Sequence, residues 1–472
     1  MAVARREMLA LTAAGLALPG CATTMGGAGA QTLPPLFDDL ERRTFDFFWE
    51  TGRSDNGLVP DRWPTPSFSS IAAVGFALTA YPLGVERGWI TRQQARERTL
   101  ATLRFFDKAP QGDARSGTAG HRGFFYHFLH MDSGTRFRNT ELSSVDSTLL
   151  FLGMLFCAEW FDTSEPAENE IRRLARDIVE RADWSWFQRG RSDISMGWHP
   201  ESGFIERGWT GYNEGMMTVL LALGATRHPP SAGAWQAWTS TYPGHWRGEG
   251  STRHLAFAPL FGHQYSHVWI DFRGIRDPVM REAGFDYFEN SRRATFAARA
   301  YCAANPMGWT GYSDQTWGLT ACDGPGNFTM IQGGVERQIR GYSARGPLGQ
   351  PDAFDDGTIA PTAAISSLPF APEICVPATM ALYDKYGVDI YRRYGFADSF
   401  NPSIRDRSLK LETGSIRPVA GWVATDHLGI DQGPIVAMIA NYRRDAVWRR
   451  MRQSATVRRG LERAGFTGGW LE

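Results

Sequence analysis

Neither sign of charge is in excess in this 472-residue chain, where 50 Lys and Arg stand against 50 Asp and Glu. A protein whose main partner is nucleic acid needs a basic surface, so none is expected as a partner. Cysteine is scarce, five in all, too few for a disulfide scaffold. The spacings of Cys157, Cys302, Cys322 and Cys375 fit no zinc pattern. They are expected to be single buried thiols, with Cys302 and Cys322 the pair to inspect for a bridge. Beyond the N-terminus no apolar run is long enough to cross a membrane. There is no Gly-rich phosphate loop after a strand, no G-x-S-x-G elbow and no His-Glu-x-x-His arrangement. Period-two alternation is rare, although short strands fit between 315 and 345. No repeat of about 34 to 45 residues is visible, which argues against a helical solenoid.

What the chain does have is aromatics, 17 Trp, 29 Phe and 14 Tyr, together with 51 Gly. A large core accounts for many of these rings, and a carbohydrate cleft is the other use for them. At the N-terminus, Arg5-Arg6 precede an apolar run from Met8 to Leu18, followed by Leu18-Pro19-Gly20-Cys21. This reads as an export signal over residues 1–21, with a twin-arginine-like start and a lipobox whose Cys21 would be lipidated. Small and polar residues 22–35 read as a flexible tether, and 36–472 as the folded domain. The expected location is the periplasm or an outer-membrane anchor, with membrane contact only through the N-terminal lipid.

Helical spacing places helices at about 36–50, 69–83, 91–107, 144–161, 171–186, 214–225, 288–304, 372–386, 431–442 and 446–465. Residues 241–277 read as irregular. The pattern is about ten to twelve helices separated by long loops rich in Gly, Trp and Asp. Loops of that length in a compact chain are usually functional. Helices paired back to back around a ring would gather those loops at one rim, so the expected fold is all-α, an (α/α)6 toroid whose long loops form a central cleft.

The stretch Gly208-Trp209-Thr210-Gly211-Tyr212-Asn213-Glu214 sets a carboxylate beside aromatic rings where a helix begins. An apolar setting raises a carboxyl pKa, which suits a proton donor in sugar chemistry. Capping of the helix by Asn213 and Glu214 is the plainer reading. The pentapeptide recurs as Gly308-Trp309-Thr310-Gly311-Tyr312, and each copy is followed two residues later by an acid, Glu214 or Asp314. A second acidic group, Glu141 and Asp146, flanks Ser143-Ser144 at another helix start. Glycoside hydrolysis needs two carboxyls, so convergence of these acids on one rim would have a chemical use. His263 and His267 lie four apart, but the aromatic spacing around them argues against a helix and an incomplete ligand set argues against metal. Hydrogen bonding to sugar hydroxyls fits them better, and Asp271 with Arg273 reads as an ion pair. Asp431 reads as a helix cap.

Three further motifs carry a resemblance. Trp317 to Pro325, Asp356 to Ala364 with Ser366 to Glu373, and Asp431 to Pro434 with Asn441-Tyr442-Arg443 resemble the glycoamylase-like domain of bacterial exported proteins, the group around glycoside hydrolase family 144. The likeness runs from about residue 36 to 465. It implies an (α/α)6 toroid with its site in the central cleft, no metal or other cofactor, and hydrolysis of β-glucan, most often endo-cleavage of 1,2-β-glucan. It also implies the general-acid role for Glu214 and required acids at Glu141 and Asp146, their separate roles left open. Candidate sugar contacts are Trp63, Tyr126, Trp209, His263, Gln264, His267, Trp269, Trp317 and Asp323. A monomer is expected. Two alternatives stand beside this reading: a transglycosylase or a hydrolase of another β-glucoside linkage, and a non-catalytic glycan-binding lipoprotein.

Overall fold

The computed structural model describes residues 32–472. The expected signal segment, its Cys21 and the tether up to residue 31 lie outside the described residues. Leu33, at the end of the expected tether, is buried in the core, so packing starts just before the first helix.

Twelve main helices organise the chain: α1 (Leu36–Thr51), α2 (Ile71–Glu86), α3 (Arg92–Lys108), α4 (Ser144–Trp160), α5 (Pro166–Glu180), α6 (Met216–Gly224), α7 (Phe261–Trp269), α8 (Tyr287–Ala304), α9 (Pro361–Ile365), α10 (Pro372–Ile390), α11 (Gly429–Arg444) and α12 (Ala455–Arg463). They fall into two sets. In α2, α4, α6, α7, α9 and α11 nearly every residue or a large majority is buried. A helix that is apolar all round belongs inside. The other six bury one face only, as α5 does with Ile171, Leu174, Ala175, Ile178 and Val179.

The buried six form an inner ring. α2 packs on α4 and α11, α4 on α6, α6 on α7, and α11 on both α7 and α9. Each has an outer partner: α3 lies on α2, α5 on α4, α12 on α6, α8 on α7, α10 on α9 and α1 on α11. The architecture is an (α/α)6 toroid. Gly75 of α2 and Gly153 of α4 let two inner helices touch, since a Cβ on Gly153 would stand 2.2 Å from the Gly75 carbonyl oxygen. Any side chain there would push the ring apart.

Starts of the inner helices gather on the cleft. Ser70 caps α2 by accepting from the Ala73 amide, and Ser143 caps α4 by accepting from the Asp146 amide. Side chains near the starts of α4, α6, α7 and α11 line one central cavity. Helix N-termini carry partial positive charge, which favours carboxylates in that cleft.

Several expectations need correction. Residues 241–277 are not wholly irregular, because α7 runs through them. His263 and His267 therefore do lie on a helix, with every residue but Phe261 buried. The expected last helix is two, Trp448–Met451 and α12. Between 315 and 345 the strands are Phe328–Gln332 and Val335–Ile339, paired as a hairpin. All four cysteines of the domain are buried and unpaired.

Candidate functional site

The central cavity is about 460 Å³, within the usual range for small-molecule sites. Asp61, Arg62, His127, Asp146 and Glu214 give it a polar pole, and Phe68, Phe128, Leu149, Phe261 and Leu428 an apolar lining.

Glu214 precedes α6 rather than lying in its first turn. Asn213 closes the turn before the helix, accepting from the Gly215 amide at 2.9 Å and donating to the Thr210 carbonyl at 3.2 Å. The N-cap residue is Gly215, with no side-chain cap, so neither Asn213 nor Glu214 caps the helix as expected, and Glu214 is left facing the cavity. Its Oε2 is buried without a hydrogen-bond partner. Burial, reinforced by the Asp146 and Asp352 charges and opposed by a hydrogen bond from its own amide, pushes its pKa up to about 7. A carboxyl in that state holds a proton at neutral pH and has a free oxygen from which to deliver it.

Asp146 sits in the first turn of α4. Its Oδ2 accepts from the Ser143 hydroxyl at 2.6 Å, and its Oδ1 lies 3.4 Å from His127 Nε2. His127 Nδ1 is 2.8 Å from Glu141 Oε1. Both ring nitrogens thus face carboxylates, which asks for two N–H donors and so for the imidazolium. Burial disfavours that charge, but Asp146, Glu141 and Asp61 outweigh it and raise the His127 pKa to about 9. Burial would raise Glu141 too, yet the hydrogen bond and charge of His127 hold it below its ordinary value. For Asp146 burial prevails over His127 and Ser143, and its pKa is raised. One ligand atom from each of His127, Glu141 and Asp146 lies within 4.8 Å of the others. A cation could enter there only by displacing the imidazole protons that now satisfy both acids.

A third polar group surrounds Arg62, on the two-residue strand Arg62–Trp63 that pairs with His427–Leu428 ahead of α11. Its guanidinium lies 3.2 Å from Asp61, 2.9 Å from Asp323 and 3.9 Å from Asp426. Burial and the adjacent Asp398 push Asp323 up to about 7, against the pull of Arg62. Asp431 is likewise raised well above the ordinary carboxylate value, by burial and by Asp398, and its Oδ2 has no partner. Asp431 lies in the first turn of α11, but the N-cap residue is Leu428, so it is no simple cap.

Most of the expected sugar contacts are core residues. Trp209 donates its indole N–H to the Ser144 hydroxyl, and Trp269 donates to Thr79. Tyr126 is buried beneath the Arg136 guanidinium. His263 Nε2 meets the Phe257 carbonyl at 3.2 Å, and His267 Nε2 meets the Ser291 hydroxyl at 3.1 Å. Burial drives the His267 pKa down to about 3, so it carries no charge. Gln264 donates to the Ala363 carbonyl and to Ser367. Trp317 is fully buried. None of these seven lines the cavity. Asp323 stands one step behind it on Arg62, and Trp63 is 43% exposed beside that arginine. Asp271 and Arg273 do form the expected ion pair, at 2.8 Å.

Glu214 and Asp146 therefore share one cavity, and Glu141 reaches it through His127. The sequence reading had passed over Asp61, Arg62, His127 and Tyr342. The first three lie in loops already marked as long or rich in Gly, Pro and aromatics, which was the available signal. Tyr342 had none.

Comparison with known proteins supports the fold. A family model described as "Glycoamylase: Putative glucoamylase" matches residues 206–455, more than half of the chain. An exo-β-1,2-glucooligosaccharide sophorohydrolase (non-reducing end) from Parabacteroides distasonis is 26% identical over 460 residues, 91% of this chain. The match spans only 57% of that relative's length. A crystal structure from Bacteroides uniformis, under the same description as the family model, superposes with a TM-score of 0.78 at 29% identity, covering 94% of this chain and all of the other. An endo-β-1,2-glucanase from Chitinophaga pinensis, solved with sophorotriose and glucose, shares the fold at a TM-score of 0.77 and 24% identity, covering 92% of this chain and 99% of the other. With the family model matching more than half its length, this chain belongs to the Glycoamylase family.

Proposed function

We propose that the protein is a glycoside hydrolase that cleaves β-glucan, with 1,2-β-glucan as its substrate. The observation that carries this reading is Glu214, a buried carboxyl with a pKa of about 7 and a free oxygen in a cavity it shares with Asp146. The names of the Parabacteroides and Chitinophaga relatives supply the linkage. Glu214 delivers a proton to the glycosidic oxygen as the bond breaks. Asp146 fits the partner role better than Glu141, because Asp146 lines the cavity while Glu141 is engaged with His127. His127 keeps a positive charge beside both acids, so negative charge remains available for a water or an oxocarbenium-like centre. Arg62 and its aspartates offer donors and acceptors for sugar hydroxyls.

The test is reducing-sugar release from linear 1,2-β-glucan, set beside 1,3- and 1,4-β-glucans and starch, by the native chain and by Glu214→Gln. Release from the 1,2-linked polymer alone, lost in the variant, supports both linkage and acid. Retained activity in the variant removes Glu214 from the role. Binding of 1,2-β-glucan without turnover by the native chain would favour a glycan-binding protein instead. We also propose export and lipid anchoring at Cys21, on the N-terminal sequence pattern. Cys21→Ala should move the protein from the membrane to the soluble fraction.

A further inference from the structure

Eight large apolar side chains are exposed among the described residues, and of these Tyr342 alone lines the central cavity. Its side chain is 55% exposed. An exposed ring on a mobile loop would mean little. This one stands on a loop fixed from both sides.

Ser343, the next residue, exchanges both backbone hydrogen bonds with Cys322, at 3.1 and 3.2 Å. Arg340, two residues before, donates its amide to Asp356 at 3.2 Å. Beneath the loop lies the guanidinium of Arg345, fully buried. It pairs with both oxygens of Asp356 at 2.7 and 2.8 Å. Of its three remaining hydrogens, the two on Nη1 go to the carbonyls of Cys322 and Ser343 and the one left on Nη2 is shared between those of Arg340 and Gly341, at 2.8 to 3.0 Å. Burial alone would raise the Asp356 carboxyl, but the charge and hydrogen bonds of Arg345 hold it below its ordinary value. One side chain thus ties four carbonyls, from the two residues before Tyr342, the residue after it and the facing segment. Gly324 leaves room for this, since a Cβ there would meet the Arg340 carbonyl oxygen at 2.0 Å.

A protein orders a loop this completely at the cost of backbone entropy, and an ordered exposed ring facing a cavity is ready to be covered. The reading of the cavity as a β-glucan site supplies the cover. In β-glucopyranose the ring substituents are equatorial, so each face of the sugar presents C–H groups. Such a face suits an aromatic ring, whose own face is electron-rich.

We propose that Tyr342 is the stacking platform of this cleft, held in place by Arg345 to receive one pyranose face of the glucan. The inference rests on the proposed glucan activity and adds to it the residue that grips the sugar. Tyr342 makes and breaks no bond, so its loss should weaken binding while leaving Glu214 able to act on what is bound.

The experiment uses Glu214→Gln as a parent that binds without turnover, titrated calorimetrically with linear 1,2-β-glucan oligosaccharides, and with 1,3- and 1,4-β-glucan oligosaccharides and maltooligosaccharides. Adding Tyr342→Ala should weaken binding at least tenfold. Adding Tyr342→Phe should leave it within twofold, because the ring face is kept. Tyr383→Ala removes an exposed ring that does not line the cavity and should change nothing. Equal affinity of parent and Tyr342→Ala would overturn the platform while leaving the glucan reading intact. So would a loss in Tyr342→Phe as large as in Tyr342→Ala, which would assign the contact to the hydroxyl. Failure of the parent to bind any of these glucans, with its fold intact by circular dichroism, would overturn both readings together.

Discussion

Gly208-Trp209-Thr210-Gly211-Tyr212 and Gly308-Trp309-Thr310-Gly311-Tyr312 are the same five residues at two places in one molecule, and their local structures agree from the tryptophan onward but not at the first glycine, where Gly308 takes positive φ and Gly208 does not. Gly211 and Gly311 both take positive φ, 76° and 97°. Both tryptophans and both tyrosines are buried and donate to, or share a hydrogen with, buried oxygens. Trp209 reaches Ser144, and Tyr212 shares with Ser291. Trp309 and Tyr312 both donate to Asp355. After each, a small polar side chain closes the next turn, Asn213 onto the Gly215 amide and Ser313 onto the amides of Gln315 and Thr316. The acids that follow have opposite fates. Glu214 enters the cavity with an unpartnered oxygen, whereas Asp314 is 57% exposed and pairs with Arg299 at 3.2 Å. A pentapeptide can set the shape of a loop, but what surrounds the next side chain decides whether an acid becomes reactive.

Substitutions can push on that contrast. The largest effect is expected from Glu214→Gln, a fall in kcat of about 10²–10⁴ on the glucan the native chain cleaves, with little change in Tm, measured by reducing-sugar release. Asp355→Ala comes next, at the anchor of the other copy. It strips the acceptor from Trp309, Tyr312 and Tyr301, which donates at 2.8 Å. Unsatisfied buried donors cost about 1–3 kcal/mol each and relaxation recovers part of that, so about 3 kcal/mol of stability should be lost in urea denaturation. If Asp355→Ala were neutral, the two loops would not share a mode of anchoring.

A smaller effect concerns protons. Glu214 donates while protonated, and its pKa of about 7 means that the protonated fraction falls as pH rises through 7. Between pH 6 and pH 8, kcat/KM should drop about tenfold on this limb, a change of about 1.4 kcal/mol. Asp314→Asn should keep this limb, because Glu214 is untouched. His127 gives a check on stability by the same logic. Its folded pKa is raised, so its contribution is complete below about 6.5, the ordinary histidine value, and is lost as pH rises through about 9. His127→Gln should flatten that part of the Tm profile. The smallest effect is expected from Asp314→Asn itself, within about 0.5 kcal/mol and with kcat unchanged, since exposed ion pairs contribute little.

The contrast also marks what a sequence can disclose. Amphipathic outer helices such as α5 were legible because one face meets water and the pattern records it. α7 was hidden because it is only nine residues long and its glycine, histidines and serine are weak helix formers. Glu214 and Asp146 could be read as a pair because glycosidic chemistry needs two carboxyls and the family resemblance fell on both of their motifs. The sugar contacts were misplaced for a physical reason. Trp209, Trp269 and Trp317 bury their rings just as the core demands, and nothing in a tryptophan's neighbours along the chain says which side of a wall it faces. Tyr342 lay unseen because its importance comes from Arg345 and Asp356, which fix a loop through contacts that no local pattern encodes.

The closure of the ring has a consequence for how the protein comes into being. α12 lies on α6, where Arg459 donates to the Gly224 carbonyl and Arg463 to the carbonyls of Leu223 and Ala225, ligating the end of the helix that Glu214 precedes. These contacts join residues more than 230 positions apart. During vectorial synthesis the earlier elements emerge first and begin to fold, yet α6 must wait for α12, made after every other helix of the ring. The helix behind Glu214 thus gains its last hydrogen-bond partners only once the final helix of the ring has been made.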